Sequence, residues 1–468
     1  MSTEPTIAEQ LAAFSTTLRY EDISEPARRH AALQLMDTIG VARAAARTGA
    51  SPAVQKVASS AVPCDPGGLV VGQGSQIDLP LALLVNGALA HALDFDNTHT
   101  GSMVHVGAAV GPMAWTLGSS LGAPGQEVLR AYVAGVECAA RLGSAIPGGF
   151  HRGGFHATSV VGIFGALVAG ACLVQASPEC LVNAMGIAGS LAAGLLEYHN
   201  SGTANKQLHP GLAARDAYVA LQLAMAGADG PATVFEGSFG LFATHLRQQP
   251  LSVGTDSLGQ VWEVEQVTTK PYPACNLIHF ALDCLGEMGG AVEPEAIEAV
   301  EVVGPPEIVP LVVEPAASKI APRNAYEAKF SVQHCVARYL VDGELRVDSF
   351  RPEAVGDPVV AALARKVTFR PTEDSTYPAK LGGSVRLVLT DGEERHAAVA
   401  DAKGSPGHPL GEDEIVAKFA ATAVPPGGAS VAVDLAKRLL SIADVDDVQR
   451  LMRDALVGDL GMPGVGGA

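Results

Sequence analysis

Residues Thr158 to Ala176 read TSVVGIFGALVAGACLVQA and carry no charged side chain. A stretch of this length is about long enough to cross a bilayer. Its reading therefore decides between a membrane protein and a helical globular one. The run is rich in Gly, Ala and Ser, no Lys/Arg cluster flanks it, and a shorter run of the same character follows from Leu181 to Leu196. Both read as buried core helices, so no membrane partner is expected. Of the 468 residues, 48% are hydrophobic and only 5% aromatic, with Ala and Gly dominating the apolar set. Small side chains let helices approach closely, so tightly packed helices or a large subunit interface are expected.

Outward from this run, the first 250 or so residues read almost wholly as helix. Helical periods cover Pro5 to Leu18, Leu79 to Phe95, Val110 to Leu121, Gly125 to Leu142, Thr158 to Gln175, Pro178 to Leu196 and Gly211 to Ala226. Ser24-Glu25-Pro26 supplies an N-cap and a first-turn proline for a helix reaching about Arg47. The pattern changes after about residue 265. Glu295 to Val303 alternates like a strand, and Ala325 to Val341 is helical. Ser384 to Leu389 and Arg395 to Val399 form a hairpin about Asp391-Gly392. Helix resumes near Glu412. The expected fold is mainly α: a large helical domain built from both chain ends, with a smaller α+β lid inserted. The boundaries are 1–265, 266–405 for the lid, 406–460 for the helical return, and a tail over 461–468.

The formal charge of −18 argues against nucleic acid or an anionic surface as partner. Seven cysteines without metal-ligand spacing suit a reducing compartment. MSTEPTIAEQ does not read as a signal or transit peptide, so a cytoplasmic location is expected.

Four segments place His or Lys in Gly- or Pro-bearing loops with few acids, inside this acidic chain. In HALDFDNTHTGSMVH, from His91 to His105, Asp94 and Thr98 are i,i+4 neighbours if the helix persists, and His99 and His105 follow. Asp94 and Asp96 can hold a cation or orient a histidine. In HRGGFHATS, His151 and Arg152 precede His156, which stands near the N-terminus of the long apolar helix, where free N–H groups favour an anion. SGTANKQLHPG carries Lys206 and His209 and no acid. A lysine near other cations, or partly buried, can serve as acid or base. KPYPACNLIH, from Lys270 to His279, lies where the helical part gives way to the lid, a preferred place for ligands.

No HExxH, CxxC or EF-hand pattern occurs, so no metal is expected. No phosphate-binding GxxxxGK[ST] occurs and no GxGxxG follows a strand, so no nucleotide cofactor is expected. GSSLG at Gly118 to Gly122 matches the nucleophile-elbow pattern but falls at a helix end, the wrong context. What remains is proton chemistry beside a carboxylate, where nearby cations stabilise the charge that develops.

These segments resemble the MmgE/PrpD family, nearly end to end: HALDFDNTH, GGFHATS, KQLHPG, KPYPACNLIH, EAKFS followed by Val341-Asp342-Gly343, and AKGSPGHPL, in that order. The resemblance implies a homodimer with a helical domain and a lid, and a substrate surrounded by Asp94, Thr98, His105, His156, Lys206 and the Lys270–Cys275 region. On this reading His156, Lys206, His105 and Asp94 are catalytic. Thr98, His99, His151, Arg152, Tyr198, His209, Lys270, Tyr272 and Cys275 hold a small polycarboxylate. Family members include 2-methylcitrate dehydratase, cis-aconitate decarboxylase and iminodisuccinate epimerase. The chain departs from common family patterns at Asn97, Gln207, Cys275 and His334, where Asp, Arg, His and an aromatic hydroxyl can stand. Loss of the Arg argues against 2-methylcitrate itself, and loss of the His against decarboxylation. The leading expectation is a dehydratase-type lyase. Epimerisation, with Tyr198, His199 and Lys206 offering a second group, and decarboxylation are the alternatives. A non-catalytic organic-anion-binding dimer is the alternative outside enzymes, though a binder would more naturally use Arg forks.

Overall fold

The computed structural model describes residues 4–289, 292–425 and 427–458, so the expected tail after residue 460 lies outside the described residues. The deciding run forms the helix Ala157–Leu173, buried from Ala157 through Cys172. No described helix is long and apolar enough to cross a membrane. Its apolar character reflects a central place in the core, with Gly125–Ser144, His209–Met225 and Val106–Pro112 packed around it. Glycines set the closeness. A Cβ on Gly135 would lie 2.5 Å from the carbonyl oxygen of Gly165, and one on Gly165 would lie 2.7 Å from that of Gly135.

The capped helix Glu25–Arg47 begins where the sequence places it, with Ser24 accepting from the Ala27 N–H. Three other elements differ from their sequence reading. The helix from Leu79 stops at His91 rather than Phe95, because Asp94 turns left-handed at φ 52°. Asp tolerates that region better than most residues. Asp94 and Thr98 are therefore not helical neighbours. The helix from Pro178 stops at Gly189, and the chain then bends through Gly194 at φ 122°, whose carbonyl accepts from the His156 N–H at 2.9 Å. The segment 325–341 is broken into Ala325–Lys329 and Val332–Asp342, because extended Ser331 caps a new helix by accepting from the His334 N–H at 2.9 Å.

Two apolar cores form. The larger gathers residues from Ala8 to Val267 and again from Ile415 to Leu456. The smaller gathers Ala274 to Ala402, joined by Tyr198 from the helical part. A four-stranded sheet organises the smaller core, in the order Val367–Pro371, Ile297–Gly304, Gly383–Leu389, Glu394–Val399. The first pair is parallel, with Val300 opposite Val367, and the others are antiparallel, with Val302 opposite Val385. The helices His279–Met288 and Val332–Asp342 pack against this sheet.

The chain crosses between the cores beside the His91–His105 segment. Thr98 and His99 pair with Thr268 and Val267 in a two-residue ladder. Gly404 then accepts from the Thr269 N–H at 3.0 Å. A Cβ at Gly404, whose φ is +89°, would lie 2.0 Å from the Thr269 carbonyl, so the AKG turn braces the backbone just before Lys270.

Candidate active site

The loop after the helix Leu79–His91 leaves three successive backbone carbonyls in a buried place. Each receives a lysine Nζ from a different part of the chain, and burial drops Lys329 among them to about 7. Lys329 donates to the Leu93 carbonyl at 2.7 Å, Lys270 to that of Asp94 at 2.9 Å and Lys418 to that of Phe95 at 2.9 Å. Orphan carbonyls at a helix end need donors, and a charged donor is a strong one. Lys329 also holds the Pro273 carbonyl at 3.0 Å, and Lys418 pairs with buried Asp37 at 2.7 Å. The left-handed turn aims the Asp94 carboxylate inward, where Oδ1 accepts from Lys206 at 3.1 Å and from Lys270 at 2.9 Å.

Beside it, fully buried Asp96 accepts from Nδ1 of His91 at 2.9 Å and lies 3.1 Å from Nδ1 of His105. A carboxylate can only accept, so His91 carries its proton on Nδ1 and leaves Nε2 bare, while His105 Nδ1 faces both Asp96 and the Thr98 hydroxyl, each at 3.1 Å. His105 opens the helix Val106–Pro112 and His156 opens Ala157–Leu173. Thr158 Oγ1 joins the two helix starts by accepting from the His105 N–H at 3.1 Å. The rings of His91, His105 and His156 lie 4.5 to 6.2 Å apart between centroids. Tyr198 stands 6.1 Å from His156 and His151 6.0 Å.

Charge is sorted sharply here. Burial raises Asp94, but the Lys206 and Lys270 ammonium groups outweigh it and hold the carboxyl well below its usual range. Burial likewise raises Asp96, yet His91 and His105 hold it well below. Burial lowers Lys270, while Asp94 and Asp96 more than restore it and leave it raised. The histidines go the other way. Burial, only partly offset by Asp96, drops His105 to about 3. Burial and then Lys206 push His156 well down, and they take His151 and His199 to about 4. At neutral pH the site thus holds two carboxylates, lysine ammonium groups and neutral imidazoles.

Asp94, Thr98, His105, His151, His156, Tyr198, Lys206, Lys270 and Cys275 line one cavity. Four residues expected there do not. His99 turns to Glu263 at 3.1 Å and Ser102 at 2.8 Å, and lines a neighbouring cavity. Arg152 donates to the Pro147 carbonyl at the surface. His209 stands behind His156, Nδ1 to Nδ1 at 3.0 Å. Tyr272 donates to Asp283 at 3.0 Å inside the smaller core. Position in a loop carries no direction for a side chain, which is why these four were misplaced. Gln207, where family members can carry Arg, donates to the Ala92 carbonyl at 3.1 Å instead of facing substrate. His334 sits against Phe350 and does not line the cavity.

The expected set left out His91 and the lining residues Phe330, Asn276 and Tyr377; His199, offered only as a second group for epimerisation, lines the cavity, and Asp96, read as able to orient a histidine, holds His91 from behind the wall. His91, Asp96 and Phe330 fall inside the motifs quoted above. Tyr377 comes from a loop beside the smaller core with no pattern to mark it, and burial pushes its phenol up to about 12.

Chain spacing also hid a cluster with metal-binding geometry. His91, His105 and His156 offer ligand atoms within 4.8 Å of one another, and so do His91, Asp94, Asp96 and His105. The carboxylates of the second group are already taken by two ammonium groups and two imidazoles. A dication bound by the second group would stand against Lys206 and Lys270, so that group suits proton transfer better than a resident metal.

The chain is 24% identical over 438 residues to cis-aconitate decarboxylase of Aspergillus terreus, covering 88% of each. It is 27% identical over 362 residues to the mouse cis-aconitate decarboxylase, covering 73% of this chain and 71% of that one. It is 26% identical over 380 residues to the human enzyme, covering 78% and 77%. The MmgE/PrpD N-terminal domain matches residues 9–253 and the MmgE/PrpD C-terminal domain matches residues 272–438, so the chain belongs to the MmgE/PrpD family.

Proposed function

We propose that the protein is a lyase that works by acid–base chemistry, without a metal, alpha to a carboxylate of a small di- or tricarboxylate. The observation that carries this is one cavity lined by an Asp94–Lys206–Lys270 charge cluster and by two neutral histidines, His105 and His156, on adjoining helix starts. Lys206 and Lys270 hold a substrate carboxylate and stabilise the electron pair that forms beside it. His105, with Asp96 and Thr98 on its Nδ1, presents Nε2 as a base. His156 exchanges a proton with the reacting carbon or with the leaving hydroxyl.

Decarboxylation of a cis-aconitate-like acid is the first reading, since the relatives above carry that name. Dehydration is the second, favoured by Cys275 and His334 standing where decarboxylases can carry His and an aromatic hydroxyl. A fold hosts several chemistries, so the reaction has to be read from products. The working enzyme is a homodimer closed by the smaller core acting as a lid. Citrate-like, aconitate-like and aspartate-like acids, incubated with the protein in deuterated water and followed by proton NMR, separate the readings. Loss of carbon dioxide marks decarboxylation, and alkene formation from a hydroxy acid marks dehydration. Deuterium wash-in without net change marks epimerisation. Silence across the panel contradicts an enzyme of this class.

A further inference from the structure

His209 faces away from the substrate cavity and into a second one, lined by Ser159, Asn205, Arg215 and Asp216. It is 3% exposed and His156 2%, so neither ring is bathed by water on both sides. Their Nδ1 atoms lie 3.0 Å apart. At the outer end, the side-chain amide of exposed Asn205 reaches His209 Nε2 at 3.4 Å. Two nitrogens at hydrogen-bond distance need one proton between them. The pair therefore has two neutral arrangements. With the proton on His209 Nδ1, His156 accepts there and carries its own proton on Nε2, as an acid. With the proton on His156 Nδ1, His156 Nε2 is bare, as a base. The Asn205 amide serves either arrangement by turning over, since it offers both NH₂ and C=O.

We propose that His209 is a proton relay that joins His156 to solvent in the outer cavity. It lets His156 alternate between acid and base without becoming a cation. This rests on the reading that His156 exchanges a proton with the substrate. The balance is simple. When His156 Nε2 takes a proton from substrate, its Nδ1 proton passes to His209 Nδ1, and the His209 Nε2 proton leaves to water. When Nε2 gives a proton to carbon, each transfer reverses. His156 itself stays neutral throughout, which matters beside Lys206. Burial, and then the Lys206 ammonium, oppose an imidazolium at this place. Decarboxylation draws on the same route, because each lost carboxylate leaves an electron pair that must take up one solvent proton.

His209→Gln keeps a hydrogen bond to His156 but cannot pass a proton, and His209→Ala leaves room for imidazole. In both, kcat should fall roughly ten- to a hundredfold with KM within about threefold. Added imidazole should restore His209→Ala by at least about fivefold. A variant within about threefold of wild-type turnover overturns the relay, as does a loss in His209→Ala that imidazole does not mend. If His209→Ala does not fold, His209→Gln decides. A readout independent of substrate separates this failure from that of the proposed function. In ¹⁵N-histidine spectra, wild-type His156 should average between two neutral tautomers, and His209→Gln should lock one. A single tautomer or a charged ring in wild type overturns the relay even if the acid panel finds a substrate. Averaged tautomers beside a silent panel uphold the relay and sink the lyase reading alone.

Discussion

Asp94 carries more of the site than any neighbour, because one carboxylate neutralises two buried ammonium groups. Replacing it by Asn keeps the shape and removes the charge, leaving Lys206 and Lys270 against each other. Breaking a buried pair in this way costs about 3–5 kcal/mol. Asp94→Asn should therefore unfold at lower denaturant, by a shift of that size in chemical denaturation. A change under about 1 kcal/mol would mean the lysines find other partners. At this scale the sequence was informative about identity and poor about direction. Asp94, His105, His156 and Lys206 were visible as ionisable groups in acid-poor loops. Nothing in the chain shows that His99 and His209 turn to other partners, because that depends on the left-handed turn at Asp94 and the bend at Gly194.

Between elements, the helices Leu79–His91 and His209–Met225 cross where Gly87 meets Gly211. A Cβ on Gly211 would lie 2.0 Å from the Leu84 carbonyl, so no side-chain rearrangement can make room. Gly211→Ala must push the helices apart, at a cost of about 1–3 kcal/mol or more. It also moves His91 relative to Lys206 and His209, which precede this crossing. Thermal unfolding should show the loss, and turnover should fall with it. An Ala variant of unchanged melting temperature would contradict the packing described. Helix existence was legible from apolar period and caps, as with Ser24. Helix ends were not, because Phe95, Leu196 and the 325–341 break depend on backbone turns fixed by tertiary partners.

Over the whole molecule, burial of neutral histidine sets the response to acid. His105 and His279 fall to about 3, and His151, His199, His209 and His334 to about 4, each chiefly through burial. Unfolded, each titrates near 6.5. The unfolded chain therefore binds more protons as pH falls below that value. Their contribution to stability is full above about pH 6.5 and is lost progressively toward about pH 4, each adding up to ~1.4 kcal/mol per pH unit. Burial raises Glu137 to about 7, and raises Asp37, Glu236 and Asp283 as well, which acts in the opposite sense, but against these four carboxyls stand nine described histidines that burial lowers. The melting temperature should drop steeply between pH 6.5 and 4, with proton uptake on unfolding by calorimetry. A flat profile over that window would contradict neutral burial. The change from helical to mixed character near residue 265 was legible in the chain. The meeting of Lys270, Lys329 and Lys418 on one loop was not, since they are far apart in sequence and share no pattern.

The central claim is that this cavity moves protons beside a carboxylate with Lys206 as its working cation. It is tested most directly by comparing wild type with Lys206→Ala on the acid that wild type consumes, in deuterated water with a chelator present. Wild-type turnover should be unchanged by the chelator. Lys206→Ala should keep its fold and lose about a hundred- to ten-thousandfold in kcat, far more than KM rises. A mutant that keeps more than roughly a tenth of wild-type turnover, or a wild type silenced by chelator and restored by a divalent ion, would contradict the account.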